Sequence, residues 1–91
     1  MRLFAIGDDR DARGFRLAGV EAIACRTRRD VERAAAGVAA RGAEPGVVLV
    51  SEAVYRQAPT AFDALRRRPR WPIVLVLPEG KATGSDGVRV D

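Results

Sequence analysis

The sequence predicts an α/β fold: a four-stranded parallel sheet of order 2-1-3-4, with helices on both faces, in the three-layer sandwich of receiver and Rossmann-like domains. Three observations predict it. Segments of strand character alternate with segments of helical period along the whole chain. The runs Gly46-Val47-Val48-Leu49-Val50 and Pro72-Ile73-Val74-Leu75-Val76-Leu77-Pro78 are apolar throughout, which suits central strands buried on both faces. The chain has 91 residues, enough for one small domain and too few for two. Residues 1–78 are expected to form that domain, and 79–91, rich in Gly, Ser, Thr and charge, a flexible tail.

Arg2 to Ile6 is a short apolar segment that ends at Gly7 and reads as the first strand. Asp8, Asp9 and Asp11 follow, and carboxylates suit the positive end of a helix. That helix is placed over Ala12 to Ala18, stopped by Gly19. Val20 to Cys25 supplies the second strand. Thr27 and Asp30 have the spacing of a capping box for the next helix. Val31, Ala34, Ala35, Val38 and Ala39 form its apolar stripe, and an alanine-rich stripe predicts close packing on a sheet. Gly42 is expected to end it. After the third strand, Ser51 is a natural N-cap. Pro59 breaks the helix that follows, Thr60 and Asp63 restart it with the same cap spacing, and Arg66-Arg67-Arg68-Pro69-Arg70 ends it.

Composition removes whole classes of chemistry. There is no histidine, so His-based triads and metal sites are excluded. The one cysteine, Cys25, excludes an internal disulfide and predicts a reducing compartment. It lies in an apolar stretch and reads as a small buried hydrophobe, with a reactive thiol as the alternative. No stretch approaches the roughly 20 apolar residues of a membrane span, and the first residues carry no signal-peptide pattern. The net charge of +4 comes almost entirely from arginine. Such an excess marks nucleic-acid, acidic-protein or anionic-lipid surfaces, or equally a genome that prefers arginine codons. Interspersed carboxylates favour the second reading.

In open α/β sheets, ligands bind beyond the C-terminal ends of the strands. Asp8 and Asp9 there resemble the acidic pair with which phospho-receiver domains hold magnesium. However, Ser51 stands where a receiver needs its phosphoacceptor aspartate, and Pro78 where it needs a hydroxyl. A degenerate receiver-like signalling or interaction domain is therefore the alternative reading. No phosphate-binding glycine motif follows the first strand. The segment Arg66 to Trp71 could contact phosphates and stack on a base, but also suits a solvated helix C-terminus.

One string is more specific. Gly14-Phe15-Arg16-Leu17-Ala18-Gly19-Val20, preceded by Ile6-Gly7-Asp8, resembles the signature of the F subunit of the V/A-type ATP synthases. Val50-Ser51-Glu52 and Pro72-Ile73-Val74-Leu75 through Pro78 are similar to that family's third and fourth strands, so the resemblance covers residues 1 to 81. It implies a non-catalytic component of the central rotor stalk, with no cofactor or metal of its own. Such a protein binds the coiled-coil D subunit and other central-stalk subunits, and helps couple ATP turnover to ion translocation. The resemblance also implies a cytoplasmic location, peripheral to the membrane without insertion, and no nucleic-acid partner. Gly14, Phe15, Arg16 and Leu17 are the candidate partner-binding residues. In this reading Gly14 admits a close backbone, Phe15 buries its ring, Arg16 reaches a partner's carboxylates, and Leu17 and Ala18 pack on the sheet. The alternative is that the whole string only shapes the first crossover. The sequence departs from the family where a C-terminal helical extension is usual: residues 83–91 are polar and contain Gly84 and Gly87.

Overall fold

The computed structural model describes residues 2–41 and 45–78. Strand β1 (Arg2–Gly7) is followed by α1 (Asp9–Leu17), β2 (Glu21–Ala24), α2 (Arg28–Ala39), β3 (Gly46–Ser51), α3 (Glu52–Gln57), α4 (Pro59–Arg66) and β4 (Ile73–Leu77). The strands are parallel in the order β2-β1-β3-β4, the predicted topology. The predicted stop at Gly42 and the predicted tail lie outside the described residues.

Local chemistry explains most element ends. Thr27 and Asp30 form the predicted capping box on α2: the Asp30 amide donates to the Thr27 hydroxyl at 3.1 Å, and the Thr27 amide donates to the Asp30 carboxylate at 3.2 Å. Ser51 caps α3, accepting from the Val54 amide at 3.3 Å. Pro59 ends α3 and sits in the first turn of α4, where its missing N–H costs no internal hydrogen bond. Thr60 does not cap the restart. Helix α4 already begins at Pro59 with no side-chain cap, and Asp63 accepts instead from the Tyr55 hydroxyl at 2.8 Å.

The register aligns Phe4, Val48 and Val74 in one row and Ile6, Ile23, Val50 and Val76 in the next. These rows share a sheet face with α2, α3 and α4. The core there includes Val31, Ala34, Ala35, Val38, Val54, Phe62 and Leu65, all buried. At its lower end Arg41 lies over the Phe4 ring, 4.9 Å from its centroid, and Arg2 and Arg41 both reach Glu21, at 2.6 and 3.4 Å. The Arg2 hydrogen bond is the main reason the Glu21 carboxyl is held below its ordinary range.

Among the described residues, the opposite face carries only α1, packed on β1 and β2. It approaches closely because small residues line the contact. Ala5 and Ala12 are completely buried, and a Cβ on Gly7 would fall 2.5 Å from the Asp11 Cβ. The sequence expectation that β4 is central and buried on both faces is corrected. β4 is an edge strand, with Ile73 44% and Leu75 48% exposed on the α1 side of the sheet, where α1 packs on β1 and β2 and does not reach β4.

Candidate functional site

Helix α1 begins earlier than expected, at Asp9, because Asp8 is its N-cap. The Asp11 amide donates to Asp8 Oδ1 at 2.8 Å, and the Asp8 amide donates to Asp11 Oδ2 at 3.3 Å. Asp9 is paired with Arg26 at 2.9 Å. The acidic cluster after β1 thus serves the helix and an ion pair, and no group of metal-ligating side chains occurs among the described residues. Cys25 beside it is buried, and burial, followed by the charge of Asp30, pushes its thiol above the ordinary range.

The end of α1 explains much of the string Gly14 to Val20. The Gly19 amide donates to the Arg16 carbonyl at 3.0 Å, and the Val20 amide to the Phe15 carbonyl at 2.9 Å. Gly19 has φ +85°. This is a Schellman stop, which requires a left-handed residue at Gly19 and places Phe15 and Val20, both half-buried, at the positions that commonly touch. Arg16, expected to reach a partner's carboxylates, is exposed and already has one internal bond. Its Nη2 donates to the Ala22 carbonyl at 2.9 Å and ties α1 to β2. Leu17 and Ala18 do not pack on the sheet: both are exposed, Leu17 to 84%. Gly14 is exposed too, and among the described residues no atom beyond its own helix lies within 4 Å of where its Cβ would be.

The structure therefore separates the predicted site residues. Phe15 and Arg16 have internal roles. Gly14 and Leu17 have none, and both sit on the outer part of α1.

Sequence reasoning missed a second surface. Leu3, Val47 and Ile73 form one row on the α1 side of the sheet, and Leu49 and Leu75 the next, with Leu77 beyond. Leu3, Ile73 and Leu75 are each nearly half exposed. The signal was present: a strand apolar at both parities, placed at an edge, has one face left over.

At the other end of the molecule, Arg66 closes α4. It lies 4.0 Å from Asp63 and over the Tyr55 ring, 5.7 Å from its centroid. A cation is favoured at that helix end.

No helix among the described residues is long and apolar enough to cross a membrane. The sequence profile of the ATP synthase (F/14-kDa) subunit family matches residues 3–90. The chain belongs to this family. The match takes in every described residue but Arg2 and agrees with the resemblance carried by Gly14 to Gly19 to the F subunit of the V/A-type ATP synthases. An ATP synthase F subunit of this kind works within the rotary ATPase complex, and its partners are subunits of that complex. Among curated proteins no match is found.

Proposed function

We propose that this ATP synthase F subunit is a non-catalytic component of the central rotor stalk. It binds the coiled-coil D subunit, turns with it, and helps transmit torque between ATP turnover and ion translocation, on the cytoplasmic side and peripheral to the membrane. The observation that carries the reading is Leu17. A leucine 84% exposed on α1, inside the family's signature string and without a role in the helix stop, is what an interface residue looks like before assembly. Gly14 beside it offers a place for close approach. Phe15 and Arg16 hold the segment in shape from beneath. The rest of the architecture suits an adaptor: a small rigid sheet, acidic side chains engaged in caps and ion pairs, and a thiol that burial keeps protonated.

The test is co-expression with the D subunit of the same complex, followed by purification and mass measurement under native conditions. A stable complex of the two chains is expected. Recovery of this chain alone, with the D subunit folded and present in the same extract, would overturn the assignment.

A further inference from the structure

The two sheet faces are covered unequally, and the hand of the crossovers dictates it. Parallel connections are right-handed. The step from β1 to β2 runs one way across the sheet and places α1 on one face. The steps from β2 to β3 and from β3 to β4 run the opposite way and place α2, α3 and α4 on the other. No connection between β1 and β4 can therefore cover β3 and β4 on the α1 side. The uncovered strip is two strands wide, about 10 Å, which is the diameter of about one helix. It is bordered on one side by α1 and on the other by the free edge of β4.

Its floor is apolar: Leu3, Val47, Leu49, Ile73, Leu75 and Leu77. On α1, Arg16 and Asp9 turn toward β2 and its following loop. At about 100° per residue, the flank facing the strip then carries Asp11, Gly14, Phe15 and Ala18. Gly14 and Ala18 are small and exposed, so a second helix can lie close along this flank. Residues 79–91 follow β4 directly, but their sequence offers only Ala82, Val88 and Val90 as apolar side chains, too little to cover this floor.

We infer that the strip over β3 and β4 is a docking slot for one amphipathic helix of a partner protein, laid along the strands beside α1. The partner helix presents a leucine- or isoleucine-type stripe at helical spacing to the floor. Its flank toward α1 offers a carboxylate to Arg10, which is exposed, lies next to Gly14 around the helix and is outside the ion pairs of the described residues; the Asp11 carboxylate on that flank is already engaged by the Asp8 amide. This rests on the stalk reading and specifies which face that partner uses.

The experiment measures affinity for the folded coiled-coil partner by calorimetry, using the full chain, Leu75→Lys, and Arg29→Gln on the far face as a control. Leu75→Lys is expected to weaken binding by tenfold or more, while the control binds like the wild type. Methyl resonances of Leu3, Ile73 and Leu75 in the wild type, followed during titration, give a second readout that does not depend on the variant folding. They are expected to shift on binding. A wild type that does not bind the coiled-coil partner at all refutes the stalk reading. A wild type that binds with those methyls unmoved, or with Leu75→Lys bound equally well, overturns the slot alone. A wild-type dimer in sedimentation that Leu75→Lys converts to monomer also overturns it, by giving the face to a second copy.

Discussion

The Tyr55 hydroxyl donates to Asp63 Oδ1 at 2.8 Å and so bridges α3 and α4 across the break at Pro59. The bond, then burial, raises the phenol's pKa. It joins two short helices, the second of which lacks a side-chain cap. Tyr55→Phe keeps the ring, whose centroid lies 6.1 Å from that of Phe62, and removes only the bond. A hydrogen bond to a charged acceptor stabilises, though less where solvent competes, so a modest loss of stability is expected. Urea unfolding measures it. An unchanged midpoint would show that the bond is idle in solution.

Acid should weaken the fold through Asp30. The amides of Arg26 and Thr27, at 3.0 and 3.2 Å, hold its carboxyl below the ordinary range. A carboxyl whose folded pKa is depressed stabilises fully above its unfolded value. That contribution is lost as pH falls through the lower folded value. Glu21 acts in the same sense through Arg2. Asp30→Asn keeps an acceptor for the capping amides but cannot titrate. Its urea midpoint is therefore expected to fall less steeply between about pH 5 and pH 2 than that of the wild type. Parallel curves would remove Asp30 from the acid response.

What was legible in the sequence was mostly local. Thr27 with Asp30, Ser51, Pro59 and Gly19 each act within a few residues, so their roles could be assigned without a fold. The topology was legible because strand and helix periods alternate cleanly. Leu17 was misplaced for a phase reason. The buried face of α1 is set by Ala12, not by the Leu17-Ala18 pair. With Ala12 buried beneath, a residue five positions on lies about 140° around the helix and meets solvent. Thr60 failed as a cap because Pro59 already supplied the first turn. The exposed side of β4 was hidden because two-sided apolarity reads as burial. Only strand order and crossover hand, which are long-range, show that one side stays open.

Two glycines should respond to alanine with opposite signs. Gly19 has φ +85°, a conformation that costs an L-residue about 1–2 kcal/mol, so Gly19→Ala is expected to destabilise by about 1 kcal/mol or more. Gly37 lies inside α2 with nothing within 4 Å of a built Cβ. There alanine restricts the unfolded chain and improves helix propensity, for a gain of roughly 0.5–1 kcal/mol. Thermal unfolding of the two variants decides the matter: a shift in the same direction for both would contradict the left-handed stop at Gly19.

Gly14 separates folding from assembly more sharply. It is exposed on α1 with open space at its Cβ position, so on propensity alone Gly14→Ala is expected to stabilise the isolated chain by roughly 0.5–1 kcal/mol. If the flank of α1 that carries Gly14 receives a partner helix, the added methyl stands where close approach is needed. Affinity for the D subunit should then fall several-fold even as the melting temperature rises. Leu17→Ser supplies the complementary case. At 84% exposure its side chain adds little to the fold, and serine there should leave the melting temperature almost unchanged. Its loss from a buried interface removes the transfer free energy of a leucine, about 1.5–3 kcal/mol, or roughly ten- to a hundredfold in affinity. Melting temperatures and titrations on the same two proteins separate the two roles. A chain that gains stability and loses affinity at Gly14, and loses only affinity at Leu17, has residues of its signature string set aside for a partner. Unchanged affinity in both would return the whole string to the first crossover.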